Sequence, residues 1–577
     1  MNYFRTLLVI FLIAIFTFPV FAADADSARK NEALLTRKER SDLIKEIREY
    51  IFLFGTIYRE INENYVDQVD PEEFLKAGIF GMMNTLDPYT EYFEPEDTDD
   101  LQIITKGRYG GIGIQIGLRG PDRELTIIAP IEGTPGWKLG LKPGDRIVEI
   151  DGESTKGFNT RDAANRMRGV PGTTVNVVIM RIGVDESISY EIERADIPVI
   201  DVSFSGFVED GIGYIRLTRF SRNAGKQVRA AIDSLEDIGL ESLIFDMRGN
   251  PGGLLPEAVN VAENFVNEGD LIVSTKGRVP TANREFFSNR APSLAPGIPL
   301  IVLVSEGSAS ASEIVAGAIQ DLDRGLIIGR TTFGKGLVQS VIPFNKYQTS
   351  LKLTTAKYYT PSGRLIQKID YFTDNDALIL DTTLQEESEL HYFTTNGREV
   401  NAHGGIQPDF DVEQPDVSDA IIELWRQGMF YNFVAWYKGE YPELESWEIT
   451  DEVYNSFRGY LDEQEFKFET NIEKNLAKIL KDAEEYKYTD EFISTLNTLD
   501  SLAQGVHNTM LTGDEYEIRK RLKAELSSLI GGNVARVEAT IEFDLQVQKA
   551  LEVLSNNNVY AGTLLGTLEV EEKITSE

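Results

Sequence analysis

The sequence has 577 residues, enough for about three or four domains, and 93 acidic residues against 57 basic ones give it a formal charge of −36. Such an acidic chain is unsuited to nucleic acid, whose phosphates bind clustered lysine and arginine. It contains no cysteine and three scattered histidines (His391, His403 and His507), which excludes disulfides and thiolate catalysis and disfavours a zinc hydrolase. We therefore predict no cofactor and no metal, with chemistry carried by Ser, Thr, Lys, Asp, Glu, Tyr or backbone groups.

The first 22 residues are laid out as a secretory signal peptide. Arg5 precedes an apolar run from Leu7 to about Phe16, and a small residue, Ala22, ends the segment. The run is shorter than the roughly 20 apolar residues of a spanning helix. We therefore predict cleavage after Ala22 and export, most simply to the periplasm, with a retained membrane anchor as the alternative interpretation.

The pattern of apolar residues divides the remaining chain into four regions. Helical spacing dominates an N-terminal region, 27–106, and strands separated by glycine-rich turns follow over 107–195. Strands alternate with helices over 196–410, and helical spacing returns in a C-terminal extension, 411–577. This order predicts an α+β multidomain protein.

The negative charge is concentrated in the C-terminal extension, where 34 acidic and 15 basic residues lie between positions 411 and 577. Residues 107–194 are neutral, with 12 of each. The acidity therefore concerns solubility or a partner rather than catalysis. The terminal helices are the predicted docking surfaces for an adaptor or for a second copy of the chain.

A glycine-rich strand begins the second region. Gly110 and Gly111 precede an alternation of apolar residues from Ile112 to Leu118. Glycines there can adopt positive φ and point successive N–H groups at a carboxylate, and the following strand edge can take an extended peptide. A generic small β-domain is the alternative interpretation.

Two downstream turns, at 130–136 and 139–147, complete a resemblance to PDZ domains of the bacterial type. The resemblance implies that one loop binds the C-terminal carboxylate of a polypeptide. The residues of that loop are Gly110, Gly111, Ile112, Gly113 and Ile114.

A serine-rich segment, Gly307–Glu313, follows an apolar strand and precedes a predicted helix. A serine at the start of a helix exposes its hydroxyl beside N–H groups that stabilise an oxyanion. Most serines in this position only cap the helix. Both roles therefore stay open for this segment.

A second segment copies part of a phosphate-binding loop. Gly329, Gly334 and Lys335 match the pattern, but Gly336 stands where Ser or Thr should bind magnesium, and a strand rather than a helix follows. We therefore discount nucleotide binding. Lys335 suits another role, since a buried lysine loses its proton more easily and can activate a serine, with Gln339 placed to orient the amine.

Six motifs, in order along the chain, resemble the C-terminal processing (tail-specific) peptidase family. They are Leu86–Tyr89, Arg248–Gly253, Gly307–Ile314, Phe333–Gln339, Tyr359–Arg364 and Gly404–Asp409. The resemblance implies a ClpP/crotonase-like α/β protease core with the PDZ domain inserted before it. It covers residues from about 40 to 409 and leaves the acidic extension unexplained.

The motifs of this family imply roles for individual residues. Ser310 would be the nucleophile, Lys335 the general base and Gln339 the residue that orients the lysine. The oxyanion hole would use the backbone N–H groups of Ala311 and Gly252.

Neighbouring candidates receive other roles. Ser308 and Ser312 are predicted to be helix-entry residues. Asp321 follows Ser310 by ~16 Å along a helix, too far for direct contact, and is assigned a structural role. Arg168 stands where a contact between the PDZ domain and the core would report peptide binding.

These observations predict an exported serine endopeptidase that engages the C-terminal end of a protein through its PDZ domain and cleaves with a Ser-Lys dyad. A Ser-His dyad with His403 stays open, although nothing around that histidine suggests a base. A catalytically silent PDZ adaptor or scaffold is the other alternative. The joint presence of Ser310, Lys335 and Gln339 argues against it, because a scaffold has no use for all three.

Overall fold

The structure, a computed structural model, describes residues 37–120, 122–368, 371, 391–415 and 417–567. The predicted signal peptide and its cleavage site at Ala22 lie outside these residues. The chain divides into two compact units, one ending at Met82 and one beginning at Met83. Across the described residues, none of the helices combines the length and the apolar character needed to cross a bilayer.

The first unit, over its described part, consists of the helices α1 (Arg37–Asn64) and α2 (Pro71–Met83). Tyr58 stacks on Phe74 with 5.6 Å between the ring centroids, and its hydroxyl donates to the Pro71 carbonyl. These contacts close the two helices into a hairpin.

The second unit begins with β1 (Glu91–Phe93) and α3 (Pro95–Lys106), which lead into a small domain of short strands. The strands are β2 (Arg108–Gly111), β3 (Ile114–Arg119), β4 (Glu124–Pro130), β5 (Arg146–Ile150), β6 (Glu153–Ser154), β7 (Thr174–Met180), β8 (Ile188–Glu193) and β9 (Ala195–Pro198). The helices α4 (Pro135–Lys138) and α5 (Thr160–Met167) connect them. One antiparallel sheet has the order β3-β4-β5-β7-β8 with β6 on β5, and β2 pairs with β9, so both ends of the domain meet.

A six-stranded sheet forms the centre of the core region. Its strands, in spatial order, are β10 (Val202–Glu209), β11 (Ile212–Leu217), β12 (Ser242–Asp246), β15 (Leu300–Val304), β16 (Leu326–Gly329) and β21 (Phe410–Asp411). All pairs after β10-β11 are parallel. β12, β15 and β16 are buried over their whole length, which accounts for their continuous apolar runs.

Three helices cover one face of this sheet: α6 (Ala224–Glu236), α7 (Leu255–Ala262) and α8 (Ala311–Asp321). Because the carboxyl ends of parallel strands meet at one edge of a sheet, the turns that follow β12, β15 and β16 come together there. These turns carry the Arg248–Gly253, Gly307–Ile314 and Phe333–Gln339 motifs.

A five-stranded antiparallel sheet packs beside the first one. It contains β13 (Leu271–Lys276), β14 (Arg284–Phe287), β17 (Leu337–Phe344) and the long β18 (Thr349–Tyr359), in the order β1-β18-β13-β14 with β17 on β18. The pairing of β1 with β18 brings the Leu86–Tyr89 motif to this sheet. Two short strands, β19 (Tyr392–Phe393) and β20 (Glu399–Val400), pair with each other.

Helices make up the described part of the C-terminal extension. They are α9 (Asp419–Arg426), α10 (Met429–Glu440), α11 (Asp451–Glu463), α12 (Asn471–Glu485), α13 (Asp490–Gln504), α14 (His507–Gly513), α15 (Glu515–Thr540), α16 (Leu545–Ser555) and α17 (Asn557–Leu564). An apolar cluster joins α9, α10, α11 and α15, with the rings of Phe433 and Phe457 5.1 Å apart at its centre.

The extension is packed onto the rest of the second unit. Helix α15 kinks at Gly532, where φ is 70° and ψ is −155°, and Asn533 then donates to the Gln115 side chain on β3 at 2.6 Å. Val547 of α16 is buried with Ile244 of β12, on the face of the sheet opposite α6, α7 and α8. The C-terminal helices therefore complete the core of the α/β domain and also contact the PDZ-like sheet.

Candidate active site

Ser310 stands at the sharp turn between β15 and α8, directly before the first residue of the helix. Its φ is 56° and its ψ is −110°, a conformation that L-residues rarely adopt and that marks strained backbone at functional sites. The Ser310 N–H donates to Glu313 Oε2 at 2.7 Å, and the Tyr358 hydroxyl donates to the Ser310 carbonyl at 3.2 Å. The side chain is half-buried, so a substrate can reach it.

The glycine turn after β12 approaches Ser310 from the neighbouring strand. Gly252 has a φ of 100°, and a Cβ at this position would lie 3.0 Å from both Ser310 Cβ and the Ala311 nitrogen. Only glycine fits there without displacing the Ser310 turn. Within the described residues the Ala311 N–H donates to no protein acceptor, whereas the Gly252 N–H donates to Asn250 Oδ1 at 2.9 Å. An oxyanion at Gly252 must therefore share that N–H with Asn250 or displace it.

Lys335 follows β16 and precedes β17. Its Nζ lies 4.1 Å from the centroid of the Tyr89 ring, a cation–π contact. Burial, reinforced by the positive charge of Lys352, lowers the pKa of Lys335 to about 8. Tyr89 was not singled out from the sequence, where it was only one letter of the Leu86–Tyr89 motif.

Glu313 joins the serine turn to the lysine turn. Its buried carboxylate accepts four hydrogen bonds, from the Ser310 N–H (2.7 Å), the Thr332 hydroxyl (2.6 Å), the Gly334 N–H (2.7 Å) and the Lys335 N–H (2.9 Å). Burial raises the pKa of Glu313 to about 7, although these donors favour the ionised form. The sequence analysis assigned no role to Glu313; the signal that could have identified it is a glutamate three positions after a capping serine.

Gln339 contacts the strand next to its own. A β-bulge interrupts the pairing of β17 and β18 before Gln339, whose amide nitrogen donates to the Thr354 hydroxyl at 3.1 Å. Thr354 donates in turn to Asp87 Oδ1 at 3.1 Å, and Asp87 also accepts from the Tyr89 N–H at 2.9 Å. Gln339 is thus linked to the turn that holds Tyr89 against the lysine.

The remaining serine and aspartate candidates have structural contacts. The Ser308 and Ser312 hydroxyls donate to backbone carbonyls of the glycine turn, at 2.8 and 2.9 Å. Asp321 forms a buried ion pair with Arg364 at 2.7 Å and accepts from Ser362. These contacts fix the helix that begins after Ser310.

The predicted carboxylate loop differs in one respect from expectation. Gly110 and Gly111 belong to β2 and pair with β9, and neither has a positive φ, so that part of the prediction is wrong. Close packing explains Gly110 instead, because a Cβ there would collide with the Gly169 carbonyl. The left-handed residue is Gly113, whose φ is 75°.

Arg168 and His403 lie at two other turns. The Arg168 guanidinium lies 5.5 Å from the centroid of the Tyr109 ring on β2, at the junction where the PDZ-like domain joins the core. His403 has a φ of 61°, and its backbone N–H donates to the Leu365 carbonyl at 2.9 Å.

Comparisons with known families divide the chain in the same way as its structure. Residues 126–181 match the family described as "PDZ domain", and residues 211–377 match "Peptidase family S41". Residues 420–554 match "Probable PDZ-protease, C-terminal helical domain".

Similar proteins carry related names. The chain is 38% identical over 354 residues to "Carboxy-terminal-processing protease" of Bartonella bacilliformis, which covers 61% of this chain and 79% of that protein. It is 36% identical to "Carboxy-terminal processing protease CtpA" of Bacillus subtilis, over 54% of this chain and 65% of that one. A solved structure, "photosystem II D1 C-terminal processing protease", is 28% identical with a TM-score of 0.30, covering 55% of this chain and 90% of that one.

The match to the Bartonella protein covers most of that relative, and the PDZ match precedes the peptidase match, as the resemblance implied. The predicted family is therefore confirmed. This chain belongs to the carboxy-terminal processing proteases of peptidase family S41, and it is a serine-type protease.

Proposed function

We propose that this protein is an exported endopeptidase that cleaves proteins held at their C-terminal end by the PDZ domain, with Ser310 as nucleophile and Lys335 as general base. One observation carries the assignment: a single oxygen, Glu313 Oε2, accepts from the backbone N–H groups of both residues. Their backbones are therefore joined through this one carboxylate oxygen. The core that holds them is proposed to be ClpP/crotonase-like. Gln339 is proposed to orient Lys335 through Thr354 and Asp87, which connect it to the turn of Tyr89.

The proposed reaction begins with the neutral amine of Lys335. It accepts the Ser310 proton as Oγ attacks the scissile carbonyl carbon, and the negative charge that forms on the carbonyl oxygen is stabilised by the N–H groups of Ala311 and Gly252. The lysine ammonium then donates its proton to the leaving amine nitrogen as the C–N bond breaks. A water molecule next gives a proton to the lysine and attacks the acyl-enzyme, and the serine oxygen leaves with that proton.

Substitution of the two residues tests the dyad directly. Ser310→Ala and Lys335→Ala should each lower kcat by about 10³-fold or more on an unstructured protein with an apolar C-terminus. Ser340→Ala and Lys346→Ala are matched controls, because both side chains are exposed and lie outside the site. Undiminished cleavage by either site variant refutes the dyad, and no cleavage by the unaltered protein favours the silent adaptor.

The PDZ role has its own test. Gly113 gives its loop a left-handed turn, and β3, which follows it, is an edge strand of its sheet within the described residues, which supports capture of a carboxylate and of an extended peptide. Amidation of the substrate's C-terminus should weaken binding about tenfold or more, since it removes the charge. Equal binding of the free and amidated peptides refutes the role of residues 110–114.

Arg168 is proposed to report occupancy of the PDZ domain to the core, so the Arg168→Ala variant should no longer be activated by an added C-terminal peptide.

Export and assembly complete the proposal. N-terminal sequencing of the periplasmic protein should begin at Ala23, and a chain that retains Met1 refutes cleavage after Ala22.

The apolar side chains exposed on α1 support docking of this helix on a second copy: Leu43, Ile44, Ile47, Tyr50, Ile51, Phe52, Leu53, Phe54 and Ile57. A light-scattering mass of one chain at micromolar concentration refutes the dimer.

A further inference from the structure

Arg248 begins the turn that carries Gly252, and two parts of the protein hold its guanidinium. From the core sheet, Asp246 accepts from Nε at 3.0 Å and from Nη2 at 2.8 Å. From the C-terminal helices, Asp544 accepts from Nη1 at 2.8 Å and Gln546 Oε1 accepts from the same nitrogen at 3.1 Å. The Arg248 side chain is 13% exposed, so water competes little for these contacts.

Two carboxylates, Asp246 and Asp544, pair with the Arg248 guanidinium. Asp246 is fully buried and also accepts from the Tyr214 hydroxyl. Burial opposes ionisation of Asp246, but the Arg248 charge and its hydrogen bonds hold the pKa of this carboxyl below its usual value. Asp246 also feels the positive charge of Arg216 on β11, so it stands between two arginines. Asp544 holds Nη1, the guanidinium nitrogen that Asp246 does not contact, and so helps to fix where the guanidinium points.

The turn after Arg248 is rigidly connected to the nucleophile turn. The Asn250 carbonyl accepts from the Ala309 N–H at 3.0 Å and from the Ser312 hydroxyl at 2.9 Å. The Asn250 side chain accepts from the Gly252 N–H at 2.9 Å. A displacement of Arg248 is therefore passed to Gly252 within four residues of backbone.

Asp544 is itself fixed at the start of α16, a helix of the C-terminal extension that packs on the core sheet. It caps α16, accepting from the N–H groups of Gln546 and Val547 at 3.1 and 3.2 Å. Val547 and Ala550 of this helix are buried against the core sheet. The contact to Arg248 thus comes from a well-anchored helix end rather than from a mobile tail.

We propose that Asp544 and Gln546 are positioning residues that hold the oxyanion turn through Arg248, which makes the C-terminal helical domain part of the catalytic apparatus. The inference rests on the proposed function, in which the oxyanion forms beside Gly252. A turn held less firmly affects the transition state more than substrate binding, because the oxyanion exists only in the former.

Asp544→Asn tests the inference without removing the helix cap, since asparagine caps as well as aspartate. We expect kcat to fall by about tenfold to 10²-fold, less than the loss of a whole oxyanion donor, with KM within about twofold. Asp451→Asn is the matched control, because it breaks an Asp–Arg contact of 2.7 Å with Arg519 in the same helical domain, away from the turn.

Gln546→Ala is the second variant and keeps the aspartate. It should lower kcat in the same sense, and both variants should slow phosphonylation of Ser310 by a fluorophosphonate, which needs the same oxyanion site. Wild-type kcat in both variants, each shown to be folded by circular dichroism, overturns the inference. A loss of kcat no larger than the loss in the control variant Asp451→Asn also overturns the inference.

The failure of this inference differs from the failure of the proposed function. Ser310→Ala that still cleaves refutes the proposed nucleophile, whatever Asp544→Asn does. Ser310→Ala that is inactive beside a fully active Asp544→Asn refutes only the positioning role.

Discussion

The pH dependence of cleavage provides a quantitative test of the proposed base. Burial, reinforced by the charge of Lys352, lowers the pKa of Lys335 from 10.5 to about 8. At pH 7 about one such amine in ten is neutral, against about one in 3,000 for a lysine with the ordinary value. Since only the neutral amine can accept the proton of Ser310, kcat/KM should rise about tenfold per pH unit below pH 8 and level off above it.

Lys352→Met should move that midpoint. Lys352 lies 2.8 Å from Glu91 Oε2, and its positive charge disfavours the protonated form of Lys335. The substitution removes this repulsion and frees the Glu91 carboxylate, which also favours the ammonium. The midpoint should therefore shift to higher pH, with a loss of several-fold in kcat/KM at pH 7. Lys346→Met, an exposed lysine on the loop after β17, is the control.

Initial rates with an internally quenched peptide below its KM, from pH 6 to 9 at constant ionic strength, measure both profiles. Circular dichroism at each pH separates titration of the site from unfolding. A flat profile refutes the lysine base, and a midpoint at or below pH 7 shows that another group, such as Glu313, controls the rate instead. Superimposable profiles for the unaltered protein and Lys352→Met refute the electrostatic account.

Three further substitutions have expected outcomes. Tyr89→Leu removes a cation–π contact of about 0.5–1 kcal/mol that favours the ammonium form of Lys335. The pKa of Lys335 should therefore fall by about half a unit, and the midpoint of kcat/KM should move to lower pH. A shift of the midpoint to higher pH contradicts this account. Gly252→Ala places a methyl group 3.0 Å from the Ser310 side chain, and kcat measured on folded protein should fall by about 10²-fold or more; retention of activity excludes Gly252 from the site. Asp321→Asn leaves Arg364 buried without its counter-charge and should lower the free energy of unfolding by about 3–5 kcal/mol in urea melts; an unchanged midpoint contradicts the structural role.

The residues that local sequence predicted well are those whose chemistry depends on their neighbours in the chain. Ile114–Arg119 is a strand where the alternation indicates one, and Ser310 and Lys335 occupy turns that follow buried strands, as their motifs indicate. Glu313 is different, because its capping position is local but its bonds to Thr332 and Gly334 join separate turns. Local sequence does not state which turns meet; only the family resemblance implies that the turns of Ser310 and Lys335 do.

The C-terminal extension shows the same limit at the level of domains. Its acidic composition indicates solubility or a partner, and the predicted boundary near residue 410 rests on composition. Val547, Ala550 and Val553 are nevertheless buried on the central sheet. An amphipathic helix reveals that it has an apolar face, but composition does not reveal which surface that face covers.

The ionised form of the buried Glu313 makes the fold less stable, yet this form is present at the pH that the proposed mechanism requires. Because its pKa rises from 4.5 to about 7 on folding, its contribution to stability is fully present below pH 4.5 and is lost as the pH rises through 7. The shift corresponds to about 3 kcal/mol at pH 8. The proposed base, Lys335, is neutral in that same pH range, so the proposed mechanism operates where the Glu313 carboxylate is charged and the fold is less stable. The charged carboxylate nevertheless accepts from the N–H groups of Ser310 and Lys335 at one oxygen, so the group that destabilises the fold is also the one that holds the proposed nucleophile and base together.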